Sequence, residues 1–96
     1  MAASIVVVPI GEVRWRQEVV VRGRVRSMRI THASNTGGTL ELVVVDETGG
    51  LTAMFAGRTE IPGVDLGTSV ELHGRAGTLR RYLALLNPTI EILVES

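Results

Sequence analysis

The sequence contains no cysteine and no lysine, and its aromatic residues are limited to one tryptophan, one tyrosine and one phenylalanine. The absence of cysteine excludes disulfides, thiolate metal ligands and a cysteine nucleophile, and it suits a reducing compartment such as the cytoplasm. The sequence also lacks an apolar run near the roughly 20 residues that a membrane-spanning helix needs, and the basic start of a signal peptide. We therefore expect a cytoplasmic protein that does not enter a membrane.

The chain has no net charge at pH 7, because its ten basic residues are balanced by ten acidic ones. This balance excludes a protein that binds nucleic acid through bulk charge alone, so any such binding must depend on local clustering. All ten basic residues are arginines, whose planar guanidinium group contacts phosphates through two parallel hydrogen bonds and stacks on bases. Arginine codon usage in a GC-rich genome is the alternative explanation for this bias.

Sequence patterns for catalysis and metal binding are missing as well. His32 and His73 are isolated and show no HxH or HxxxH spacing, so we expect no metal site. Asp46 belongs to a turn motif and is not a candidate catalytic acid. Because no Ser-His-Asp arrangement, paired-carboxylate site, P-loop or dinucleotide fingerprint is recognisable, we expect neither enzyme activity nor a cofactor.

Alternation of apolar and polar residues with a period of two is the dominant pattern, and it predicts an all-β protein. The chain has 96 residues, 45% of them hydrophobic, which is enough for one domain with a small core. We expect residues 1–16 to be an N-terminal extension, with an added strand as one option, and residues 17–96 to form the domain. The five predicted strands are residues 17–30, 39–46, 50–56, 69–76 and 81–94, the last interrupted at Asn87-Pro88.

The connections and two glycines favour a small closed barrel. Residues 46–50 are typical of a hairpin turn, and residues 57–68 hold at most one turn of helix. Residues 77–80 predict a second tight turn before the last strand. Gly23 and Gly74 lie inside strands on the apolar side, where glycine marks a bulge, a bend or a close backbone approach. Such bends allow a five-stranded sheet to close.

Several motifs, in their order and spacing, resemble the OB-fold nucleic-acid-binding domains. The likeness covers residues 17–94 and is greatest to the wedge OB domain of RecG-type DNA helicases and to small stand-alone bacterial OB proteins. The motifs are Asp46-x-Thr48-Gly49, Leu51-x-Ala53-x-Phe55, Ile61-Pro62-Gly63-x-x-x-Gly67, Val70-x-x-x-Gly74-Arg75 and Asn87-Pro88.

The resemblance implies a five-stranded Greek-key OB-fold barrel with strand order 1-2-3-5-4-1. Nucleic acid would lie across strands 2 and 3, between the loops at residues 31–38 and 77–81. Bases usually stack on aromatic residues of this face, but Phe55 alternates with the core leucines and is expected to be buried. The outward residues of strands 2 and 3 are instead largely aliphatic, and we expect them to be Glu41, Val43, Val45, Thr52 and Met54.

Arginines are predicted to border this face. Arg22, Arg24 and Arg26 point away from the core if Val21 and Val25 point into it. A second group, Arg80 and Arg81, flanks the turn before the last strand. The predicted nucleic-acid-binding residues are Arg22, Arg24, Arg26, Arg80, Arg81, Thr52, Met54 and His32. The expected ligand is single-stranded or junction DNA, rather than RNA, bound with little sequence preference.

Three alternatives remain at this stage, and one of them is a vestigial or accessory domain whose partner protein supplies the activity. The arginine row also fits a strand whose exposed side is merely polar, and we expect carboxylates to compete for its arginines, namely Glu12, Glu18, Glu41 and Glu71. The aliphatic residues Val20, Val43, Val45 and Met54 also fit a surface for a protein partner or a second copy of the chain, since monomers seldom expose large apolar areas. The apolar run at residues 4–8 is another candidate to cover them.

Overall fold

Six strands and one short helix make up the part of the chain that the computed structural model describes, residues 6–31 and 37–94. The elements are a turn of 3-10 helix η1 (Ile10–Glu12) and the strands β1 (Glu18–Thr31), β2 (Thr39–Asp46), β3 (Gly49–Ala56), β4 (Ser69–Leu79), β5 (Tyr82–Leu86) and β6 (Thr89–Ile92). The prediction of an all-β protein is confirmed. The fifth predicted strand is divided in two, because Asn87 has a positive φ of 51° and Pro88 has no N–H to donate to a ladder.

Five of the strands form a closed sheet. Antiparallel pairs join β1 to β2, β2 to β3, β4 to β5 and β4 back to β1, and a parallel pair joins β3 to β5. The order is therefore β1-β2-β3-β5-β4, returning to β1, while β6 pairs with the first half of β4. This order is the one that the sequence resemblance implies.

The long strand β1 closes the sheet because it pairs with two different neighbours. Its first half lies against β4, with Glu18 opposite Arg75, and its second half lies against β2, with Thr31 opposite Thr39. Gly23 lies where β1 changes partner, and a Cβ there would collide with the carbonyl oxygen of Val45. This is the close backbone approach that a glycine inside the strand predicts.

A β-bulge interrupts the second half of β1. Val25 pairs with Val44 and Ser27 pairs with the next residue of β2, Val43, so Arg26 is an extra residue without a partner. A bulge reverses the alternation of the side chains that follow it. Met28 consequently shares the inner side of the sheet with the residue opposite it, Leu42.

The core is built from the inner side chains of all five strands and is entirely aliphatic except for Phe55, which is buried as predicted. The N-terminal extension also contributes, since Ile10 and Val13 are buried in the same cluster. The largest side chains that are fully buried are Leu40, Leu42, Leu72, Leu85, Val21, Val25, Val44 and Val70.

The N-terminal extension is fastened to the sheet at several places. The N–H of Ile10 donates to the Asp46 carboxylate at 2.9 Å, and the N–H of Gly11 donates to the Thr48 hydroxyl at 2.8 Å. Further upstream, Val7 forms a parallel bridge with Val20 of β1. The added strand expected here is thus a single bridge in residues 6–8, and the rest of the apolar run, residues 4 and 5, lies outside the described residues.

The loops differ from expectation in one respect. Strand β4 continues to Leu79, so the predicted turn at residues 77–80 is shifted to Arg80-Arg81. Residues 57–68 contain no helix, in line with the expectation of one turn at most. Across residues 6–31 and 37–94, no helix has the length and apolar character needed to cross a membrane.

Candidate nucleic-acid interface

One outer surface of the closed sheet spans the second half of β1, β2, β3 and β5, and we call it the β2–β3 face. Residues that lie opposite each other on neighbouring strands share a side of the sheet. The register therefore assigns to this face the residues Ser27, Arg29, Glu41, Val43, Thr52, Met54, Ala84 and Leu86. Thr52 and Met54, both predicted as binding residues, are half-buried in the middle of it.

The sequence reasoning missed Arg29, which lies on this face directly opposite Glu41. Unbroken alternation from Val25 would direct Arg29 toward the core, but the bulge at Arg26 reverses the alternation. The signal was present in the sequence, because the apolar positions of the strand change from odd numbers, ending at Val25, to even numbers, beginning at Met28.

Arg80 crosses the sheet from the β4–β5 turn and forms a paired contact with Glu41 of β2. Its Nη1 donates to Oε1 at 3.1 Å and its Nη2 donates to Oε2 at 2.5 Å. Glu41 is only 8% exposed, and Ala84 on the same face is fully buried. The hydrogen bonds from Arg80 lower the pKa of Glu41 below its ordinary value despite the opposing effect of burial, and Arg29 adds to the effect. The side chain of Arg80 therefore reaches from the β4–β5 turn past β3 to β2.

The β4–β5 turn contains only two residues, and both have a left-handed backbone. Arg80 has a φ of 49° and Arg81 a φ of 74°, between Leu79 and Tyr82, which pair across the hairpin. Two positive φ values are typical of a type I′ turn, which normally selects asparagine and glycine. Tyr82, next to the turn, is 75% exposed. The turn thus holds Arg81, which has no ion pair among the described residues, and the exposed ring of Tyr82 next to the β2–β3 face.

Arg22 lies on a different wall of the sheet. Its Nε donates to Oε2 of Glu71 on β4 at 2.6 Å, and Nε2 of His73 contacts the other oxygen of the same carboxylate at 2.6 Å. The hydrogen bonds from His73 and Arg22 lower the pKa of Glu71. Arg29 follows Arg22 by seven positions in an extended strand, so the two arginines are roughly 23 Å apart along β1.

Arg24 and Arg26 lie between Arg22 and Arg29 along β1, and both are exposed. Arg24 lines a groove of about 560 Å³ whose other wall carries Asp46 and Glu47. Arg26 is the extra residue of the bulge, next to Ser27 of the β2–β3 face.

The predicted site residues are therefore spread along the outside of the sheet. The structure brings Arg80 to the β2–β3 face that holds Thr52 and Met54, with Arg81 in the same turn as Arg80. It places Arg22 beside Glu71 of β4, Arg24 between Ser69 of β4 and Val45 of β2, and Arg26 next to Ser27. Two of the four carboxylates that were expected to compete for the arginines do so, Glu41 and Glu71. His32 lies outside the described residues.

The aliphatic residues that were considered as a partner surface are also separated. Val43 and Met54 belong to the β2–β3 face, whereas Val20 lies opposite His73 on the other wall and is bridged by Val7. All of them, including Val45, are half-buried.

Trp15, at the end of the N-terminal extension, is 57% exposed, and the guanidinium of Arg16 lies 4.2 Å from its ring centre.

Among the described residues, no group of three or more histidine, aspartate or glutamate side chains is arranged to hold a metal ion. No known protein-family model matches the chain, and no curated protein matches it. The case for a function therefore rests on the geometry of the β2–β3 face.

Proposed function

We propose that this protein is a small OB-fold domain, a Greek-key barrel that binds single-stranded nucleic acid on its β2–β3 face with little sequence preference. DNA, either as a single strand or at a junction, is the proposed ligand. The observation that carries the proposal is the β4–β5 turn, where Arg80 binds Glu41, the residue opposite Arg29, and where the neighbouring Arg81 and Tyr82 are exposed. A groove with arginines on its borders and an exposed aromatic ring suits a phosphate backbone and an unpaired base.

Two further observations support this proposal. The strand order matches that of the OB fold, in which oligonucleotides bind across strands 2 and 3. Val43, Thr52 and Met54, the floor in the middle of the face, contribute a single hydroxyl for hydrogen bonds to bases, which favours binding without sequence preference. The pairing of Arg80 with Glu41 leaves few free cations, so the expected affinity is moderate at best.

The experiment is fluorescence anisotropy with a labelled single-stranded oligonucleotide of about 20 nucleotides, which exceeds the site size of one OB domain. Arg29→Gln and Arg81→Gln are each expected to weaken binding about 2- to 10-fold at low salt, the value of one typical net hydrogen bond. Arg14→Gln is the matched control, because Arg14 is exposed on the N-terminal extension and has no ion pair within the described residues.

Absence of binding by the wild-type protein at tens of micromolar would remove the proposal. Equal loss of affinity in the Arg14→Gln control and in the two test variants would show diffuse charge attraction in place of a site. Parallel titrations with duplex DNA and with RNA of the same sequence decide the type of nucleic acid.

A second candidate function is a protein-interaction or oligomerisation module that uses the same face. The observation in its favour is the aliphatic floor together with Leu86, which is 43% exposed. Light scattering at several protein concentrations separates the two functions, because a monomer at all concentrations that binds oligonucleotide contradicts the oligomerisation role.

A further inference from the structure

Glu41 is an acidic residue in the middle of the proposed nucleic-acid surface, where its charge by itself would repel phosphates. We propose that Glu41 is a positioning residue, whose carboxylate holds the β4–β5 turn over the β2–β3 face and so orders Arg81 and Tyr82 before nucleic acid arrives. The ligand in this inference rests on the function proposed above, whereas the ordering of the turn does not.

The contact between Glu41 and Arg80 is built for positioning. Both carboxylate oxygens accept hydrogen bonds from the two terminal nitrogens of one guanidinium group, at 3.1 and 2.5 Å. Such a paired contact fixes the direction as well as the distance between two groups. The residues lie 39 positions apart in the sequence, so the contact ties one hairpin of the sheet to another.

The turn needs an outside contact of this kind. Arg80 and Arg81 both have a left-handed backbone, which is unfavourable for residues with a Cβ and persists only where surrounding structure imposes it. Within the described residues, Glu41 is the one side chain that hydrogen-bonds either arginine of the turn. Loss of this carboxylate should therefore loosen the turn, which the pairing of Leu79 with Tyr82 would then hold without a side-chain contact.

Both terminal nitrogens of Arg80 donate to Glu41, and this assigns different roles to the two arginines. Arg80 is committed to the sheet, while Arg81 has no ion pair in the described part of the chain and projects from the same turn. Arg81 and the neighbouring ring of Tyr82 are thus the groups that can contact a ligand, and Glu41 acts on them through Arg80.

Glu41→Gln tests this inference, because charge and positioning predict opposite results. The variant removes a negative charge from the face and frees Arg80, so electrostatics alone predicts tighter binding of the single-stranded oligonucleotide. The positioning role predicts binding that is roughly 2- to 10-fold weaker, since side chains that are no longer preordered must be immobilised on binding. Glu47→Gln, the same charge change at an exposed residue of the β2–β3 turn, is the control and should bind as the wild type does or slightly more tightly.

A second measurement reports the turn without any ligand. Backbone ¹⁵N relaxation should give Arg81 and Tyr82 order parameters close to those of the strands in the wild type and in Glu47→Gln, and clearly lower ones in Glu41→Gln. Unchanged order in Glu41→Gln, or tighter oligonucleotide binding by it, would overturn the positioning role. If the wild type fails to bind oligonucleotide, the proposed function fails by itself, and the relaxation result still decides whether Glu41 orders the turn.

Discussion

Three carboxylates, Asp46, Glu41 and Glu71, have pKa values below their ordinary range, and each is held by different donors. Asp46 is bound mainly by backbone, through the N–H groups of Ile10, Thr48 and Gly49, and also by the Thr48 hydroxyl. Burial raises the pKa of Asp46, but these hydrogen bonds lower it by more. The glutamates are instead bound by side chains, Glu41 by Arg80 and Glu71 by His73 and Arg22. All three therefore favour the folded state in their ionised form.

The direction of the pH effect follows from these lowered pKa values. A carboxylate whose pKa is lower in the folded than in the unfolded state stabilises the fold at pH values above its unfolded-state pKa. That pKa is about 3.8 for Asp46 and about 4.5 for the glutamates. The contribution disappears as the pH falls through the folded-state pKa. The protein should therefore lose stability below about pH 4.

Asp46→Asn should lower the free energy of unfolding at pH 7 by about 1 kcal/mol, because the amide nitrogen cannot accept a hydrogen bond that one carboxylate oxygen accepts. The variant should also lose less stability than the wild type between pH 5 and about pH 3. Urea unfolding at several pH values measures both effects. Glu60→Gln, at an exposed residue with no ion pair among those described, should behave as the wild type, and an Asp46→Asn protein with the wild-type pH profile would contradict the assignment.

At the scale of the strand, the bulge in β1 determines which side chains form the candidate site. Before the bulge, the inner positions are Val19, Val21 and Val25, and after it Met28 packs against the core, while Ile30 lies on the same side of the sheet but is half-exposed near the end of the strand. The extra residue allows one continuous strand to keep apolar side chains inside on both halves, although its two halves pair with different neighbours. It also moves Arg29 to the outer surface.

Deletion of Arg26 should be far more damaging than its substitution. Without the extra residue, the register with β2 slips by one, or the side chains after the deletion change sides. In the second case Met28 and Ile30 turn outward and Ser27 and Arg29 turn inward. A buried, unpaired arginine is very costly. We expect the deletion to lower the free energy of unfolding by at least about 3 kcal/mol. Arg26→Ala keeps the bulge and should change it by less than about 0.5 kcal/mol.

Chemical denaturation followed by circular dichroism measures these differences. Similar stability for the deletion and the substitution would mean that β1 tolerates either register, and the assignment of Arg29 to the β2–β3 face would then lose its support.

For the molecule as a whole, the balance of charges limits how nucleic acid can be attracted. The net charge of zero gives little long-range attraction, and Glu41 and Glu71 occupy two of the arginines. Binding on the β2–β3 face therefore depends on a few local contacts, principally from Arg26, Arg29 and Arg81.

Three phosphate contacts predict a plot of log affinity against log salt concentration with a slope of about −2 for a single strand. Arg29→Gln and Arg81→Gln should each make this slope shallower by about 0.7, whereas Arg14→Gln should leave it unchanged. Anisotropy titrations at four or five salt concentrations measure the slopes. A wild-type slope near zero would contradict phosphate binding and would favour the aliphatic floor as a protein contact.

The sequence by itself determined the all-β class, the position of most strands, the buried Phe55 and the hairpin at Asp46, because alternation and turn chemistry are local properties of the chain. The tertiary structure alone decided which arginines share a surface. The bulge at Arg26 depends on the register with β2, and the contact of Arg80 with Glu41 joins residues 39 positions apart. The change of apolar positions from odd to even numbers indicates an irregularity in β1 but does not give its register, and no local pattern pairs Arg80 with Glu41. Both are decided only when the sheet closes and brings distant strands side by side.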